Sequence, residues 1–120
     1  MTAPNLYNIA TVTGKTTAYQ VTTTRANMIT NPANSNMSIR INSLFVTNIS
    51  NTNSNGTFTV DFYRNAYSTK IANNNVVEPG NTMVVITKDT SIYLEEGDSL
   101  GIIGTTNNTM HALLTYEIVT

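Results

Sequence analysis

The chain has 120 residues, only 11% of them charged, a formal net charge of −1, and neither cysteine nor tryptophan. That composition excludes disulfides, zinc thiolates and a cysteine nucleophile, and it lacks the basic stripe that nucleic acid requires. A chain of this length buries about two thirds of its unfolded surface and forms one core without staples.

No apolar run approaches the ~20 residues of a membrane-spanning helix, so no membrane partner is expected. Threonine and asparagine replace the missing charges. Threonine favours strands and asparagine favours reversals, so many short strands are predicted. The first residues, from Met1 to Tyr7, lack the basic and apolar regions of a secretory signal. Residues 1–8 read as a flexible arm, with Pro4 removing a donor; Leu6 and Tyr7 on it and Ile9 just beyond it are the candidate partner-binding side chains. Residues 9–120 read as a single β-sandwich domain.

Residues 9–13 are predicted as a short strand, Gly14-Lys15 as a turn, and residues 16–24 as a second strand. The cluster from Asn31 to Asn36 is a reversal. In the next strand Met37, Ile39 and Ile41 alternate with polar residues, and the apolar register then shifts onto Leu44, Phe45 and Val46, which calls for a bulge near Asn42-Ser43. Asn55-Gly56 is the strongest hairpin signal in the chain. Beyond it Phe58, Val60 and Phe62 share one strand face. Residues 64–68 read as a loop, 69–72 as a short strand and Asn73-Asn74-Asn75 as another reversal. Glu78-Pro79-Gly80-Asn81 fits a type II turn.

The stretch from Thr82 to Leu100 reads as short apolar runs cut by turns at Lys88-Asp89 and at Glu95-Glu96-Gly97-Asp98, locally a meander. After Asn107-Asn108, the residues Met110, Ala112, Leu114, Tyr116 and Ile118 line one face of a final strand. No window keeps helical spacing. Eight or nine strands with turn signals about every 8–12 residues point to an all-β, antiparallel sandwich. A two-sheet jelly roll is the first choice, because it buries both apolar faces, and an immunoglobulin-like sandwich is the second.

The single histidine, His111, has no cysteine or elbow serine to activate and reads as a structural or solvent-facing residue. Asp89, Glu95, Glu96 and Asp98 supply oxygens of the kind that calcium takes, but acidic turns more often cap amides, and no metal or other cofactor is expected. Tyr63 and Tyr67 with Arg64 between them read as a stacking patch without the basic channel that single-stranded nucleic acid needs. Tyr63, Tyr67 or Tyr93 could stack on a sugar, which makes a host-glycan-binding module one alternative. No catalytic residue is expected.

Three stretches, residues 3–15, residues 41–48 with 59–64, and residues 88–100 containing Leu94-Glu95-Glu96-Gly97-Asp98-Ser99-Leu100, together resemble small virion structural proteins of tailed phages, especially phages of marine and cyanobacterial hosts. The resemblance implies a non-enzymatic β-sandwich on the virion. Its most direct form is a capsid decoration (cement) protein that binds the major capsid protein or other virion proteins as a homo-oligomer, a trimer by analogy. A neck, tail or fibre-attachment subunit is the structural alternative.

Overall fold

The computed structural model describes residues 11–50, 55–107 and 109–120. These form β1 (Val12–Gln20), β2 (Ala26–Thr30), β3 (Ser38–Asn48), β4 (Gly56–Arg64), β5 (Tyr67–Val77), β6 (Thr82–Ile86), β7 (Ile92–Leu94), β8 (Ser99–Gly104) and β9 (Met110–Val119), with one 3-10 turn at Lys88–Thr90. Leu6, Tyr7 and Ile9 lie outside the described residues.

One sheet has the order β1-β9-β3-β6, with β7 continuing along β3 beyond β6; the other has the order β2-β8-β4-β5. The antiparallel pairs are nested: β1 with β9, β2 with β8, β3 with β6 and β7, and β4 with β5. Successive pairs alternate between the two sheets. A single long hairpin, with its tip at Asn65-Ala66, rolled onto itself gives this connectivity, which is that of a jelly roll. The β6 and β7 segments act as one edge strand interrupted by the 3-10 turn that Thr87 and Thr90 close by reciprocal hydrogen bonds.

The core lies between the sheets. Alternation sends Phe58 and Val60 of β4, Leu100 and Ile102 of β8, Leu44 and Val46 of β3, and Ala112 and Leu114 of β9 inward, where all are buried. Each large side chain so removed from water contributes about 1.5–3 kcal/mol. Phe45, between Leu44 and Val46, points outward, and the bulge predicted near Asn42 is present as a register shift between Ile41 and Ser43. The left-handed turn residues also match: Gly80 (φ 80°), Gly97 (φ 89°), Asn34 and Asn36.

Four local expectations are corrected. Gly14-Lys15 is not a turn but the middle of β1, because an unbroken partner, β9, runs alongside from Val119 to His111. Asn55-Gly56 does not join a hairpin, since β3 and β4 belong to different sheets. Gly56 is needed for space: a Cβ there would stand 2.8 Å from the Met110 sulfur. Asn73-Asn74-Asn75 does not reverse the chain. It lies inside the single strand β5, where Phe58 pairs Asn75 and Val60 pairs Ala72, so Asn73 and Asn74 together oppose Thr59 as a bulge. Asn74 takes φ 50° there and is held by its backbone N–H donating to the Thr59 hydroxyl at 3.0 Å. The 82–100 stretch is no meander, because β6 and β7 share the partner β3 while β8 crosses to the other sheet.

Candidate functional site

The outer faces of the two sheets differ in chemistry. On the β2-β8-β4-β5 sheet a cross-strand row runs Asn27, Gly101, Asp61, Lys70. Arg25 lies over Gly101, its Nε donating to both Asp61 oxygens at 3.0 and 3.1 Å and its Nη1 to Asn27 Oδ1 at 2.7 Å. Ser68 donates to Asp61 at 2.7 Å, Lys70 stands 3.9 Å away, and the Arg25 guanidinium packs 5.5 Å from the Tyr63 ring centroid. Burial works to raise the Asp61 pKa, but the bonds from Arg25 and Ser68, with the charges of Arg25 and Lys70, outweigh it and hold the carboxyl below its ordinary range. This face spends its charges internally.

At the end of the sandwich, Arg64 makes a bidentate pair with Asp98 (2.9 and 2.5 Å), approaches Glu95 at 3.4 Å and packs 5.0 Å from the Phe62 ring centroid. The hydrogen bond to Asp98 keeps the Arg64 pKa above its already high value. Asp98 also accepts the Glu95 backbone N–H at 2.8 Å. Asn31, fully buried, donates through Nδ2 to the carbonyls of Met37 and Leu94, and its backbone bonds both Gly97 and Asp98. Glu96 is buried in this turn, and neither carboxylate oxygen has a hydrogen-bond partner among the described residues.

The outer face of the β1-β9-β3-β6 sheet is different. Its central row is apolar on all four strands: Ala18, Leu113, Phe45, Val84. Leu113 is 41% and Val84 50% exposed. The next row is polar, Gln20, His111, Thr47, Thr82, and a shallow open cavity of about 340 Å³ lies between the two rows at Ala18, Gln20, His111 and Leu113. Toward the other end of the strands comes a third row, Gly14, Glu117, Arg40, Tyr93.

The residues singled out from sequence distribute over these places. His111 is exposed on the apolar-row face. Glu95 and Asp98 are drawn to Arg64, whereas Asp89 sits apart on the exposed 3-10 turn, and no group of three metal-ligating side chains forms among the described residues. Tyr63 pairs Ser68 and Tyr67 pairs Arg64 across the hairpin, so alternation sends the two rings to opposite faces and they form no common platform. Sequence reading missed the Arg25–Asp61 pair. Its one available signal was a carboxylate in the middle of the Phe58–Val60–Phe62 alternation.

No family model and no curated protein matches the chain. Among solved structures it is similar to a protein from Bacillus endospore appendages, described as forming a novel family of disulfide-linked pili, with TM-score 0.54, 15% identity, and 92% of this chain and 87% of that chain covered. That likeness is one of fold. The resemblance to phage virion proteins rests on the sequence segments alone.

Proposed function

We propose that this chain is a non-enzymatic structural subunit of a repeating assembly, working as a homo-oligomer. The observation that carries this reading is the apolar row Ala18–Leu113–Phe45–Val84, exposed at Ala18, Leu113 and Val84 and bordered on one side by the hydroxyl row Thr16, Thr115 and Ser43. Contiguous apolar surface on a small domain marks a contact with another protein. The edge strand β1 adds to it, since its nine residues carry one charge, Lys15, and no proline to discourage pairing with a further chain.

The phage-like segments favour a virion as the location and the decoration of an assembled head as the role. A subunit that binds only the assembled shell lowers the free energy of that state by its own binding term. The appendage-like fold favours a second reading, a subunit of an extracellular filament. In either setting the contacts between copies are not disulfides through these residues, because the sequence has no cysteine.

Light scattering and negative-stain microscopy of the purified protein test the shared reading, with regular oligomers or polymers expected and a strict monomer at millimolar concentration overturning it. Cosedimentation with undecorated heads, together with a rise in capsid melting temperature, selects decoration. Filaments formed by the protein alone select the second reading.

A further inference from the structure

We propose that the outer face of the β1-β9-β3-β6 sheet is an interface for a second copy of itself, related by a two-fold axis parallel to the strands and lying between β9 and β3. The inference rests on the self-association reading above and specifies its geometry.

Two sheets stack face to face with strands within about 30° of alignment. A two-fold along the strands keeps each residue's height and reverses the lateral order, so β9 of one copy lies over β3 of the other and β1 over β6 and β7. Applied to the rows in the structure, this operation matches opposites. In the apolar row Leu113 meets Phe45 of the second copy and Ala18 meets Val84. In the third row Gly14, with open space where a side chain would stand, meets the exposed ring of Tyr93. In that same row Glu117 meets Arg40.

The last match supplies the strongest argument for the occupant. Arg40 and Glu117 are cross-strand neighbours, yet they form no ion pair with each other or with any other side chain among the described residues. Among the described residues Arg40 donates only to the Ser91 hydroxyl, at 3.2 and 3.3 Å, and Glu117 accepts only from Asn42, at 2.9 Å. Every other described arginine, Arg25 and Arg64, is paired with a carboxylate. A face carrying one unpaired cation and one unpaired anion, placed symmetrically about the β9–β3 line, is complementary to its own rotated copy. The two charges are then paired twice across the interface, and like charges are kept apart. The β2-β8-β4-β5 face offers no such match, since the charges of Arg25 and Lys70 are already directed at Asp61.

Four strands about 4.8 Å apart, and about 33 Å long for the ten residues of β9, make a face of only about 500 Å², below the ~800 Å² per partner of a standard stable interface. The contact is therefore weak in an isolated pair and gains from repetition within an assembly.

Two measurements test it. The chain has no cysteine, so Leu113→Cys and Phe45→Cys proteins can be mixed with a short bis-maleimide, which spans the ~10 Å between stacked sheets that a direct disulfide cannot. Cross-linked heterodimers are expected in clear excess over those that either variant forms with a Lys70→Cys control on the opposite sheet; equal yields overturn the proposal. In sedimentation equilibrium, Arg40→Glu and Glu117→Arg should each weaken dimerisation by about tenfold or more, and the Arg40→Glu/Glu117→Arg double variant should recover to within about threefold of the parent. A double variant no better than the singles overturns the two-fold pairing. Wild-type association that persists without cross-linking removes this face while leaving the self-association reading intact; a wild type that never associates removes both.

Discussion

The guanidinium of Arg25 occupies the space above Gly101 that any side chain at position 101 would need. Glycine in β8 thus opens a floor across which Arg25 reaches Asp61 on the neighbouring strand β4.

Gly101→Ala is expected to destabilise the fold by about 1–3 kcal/mol, because the arginine must give way and loosen its ion pair. Gly14→Ala, with nothing near its would-be Cβ, should be neutral or stabilising by about 0.5 kcal/mol through loss of unfolded-state freedom. Urea denaturation of the two variants side by side checks the contrast, and equal effects would sink the packing argument.

Asp61→Asn is expected to cost about 2 kcal/mol at neutral pH, since Arg25 would keep its burial and lose its counter-charge. The pH dependence has a definite sign. Asp61 has a folded pKa below its unfolded value, so its contribution is fully present above about pH 4 and is lost as pH falls through the folded pKa. Melting temperature followed from pH 7 to pH 2 should therefore fall less steeply on the acid side in Asp61→Asn than in the parent.

Asn31→Ala should be among the more damaging polar substitutions, costing about 2–4 kcal/mol. It strips the donor from two carbonyls, Met37 and Leu94, at a fully buried position. Hydrogen exchange should show faster amides at Gly97, whose N–H bonds the Asn31 carbonyl at 2.8 Å. Unchanged protection there would mean the turn is held by Arg64 and Asp98 alone.

Glu96→Gln is expected to raise stability by about 1 kcal/mol. The carboxylate is buried with neither oxygen hydrogen-bonded among the described residues, so removing its charge removes a desolvation cost and breaks no hydrogen bond there. Thermal melts at neutral pH decide the point, and a loss of stability would show that the charge is compensated.

Much of the fold was legible because strand alternation is a local property. Phe58 and Val60, or Met110, Ala112 and Leu114, declare their buried face by spacing alone. The candidate face was not legible. Ala18, Phe45, Val84 and Leu113 are scattered along the sequence, and each looks unremarkable in its own strand. Asn73 to Asn75 misled for a related reason: turn chemistry and bulge chemistry use the same residues, and only an adjacent strand distinguishes them.

Taken by itself, the order of residues determined that this chain is all β, that its core is made from alternating strand positions, and that thiol chemistry is closed to it. Tertiary structure alone decided which strands are neighbours, and with that the Arg25–Asp61 and Arg64–Asp98 pairs, the place of Gly14 inside a strand, and the row that joins Ala18 to Val84. The physical reason is that side-chain direction repeats every two residues and is written locally, whereas strand partners are selected by the nesting of the whole chain, which no short window contains.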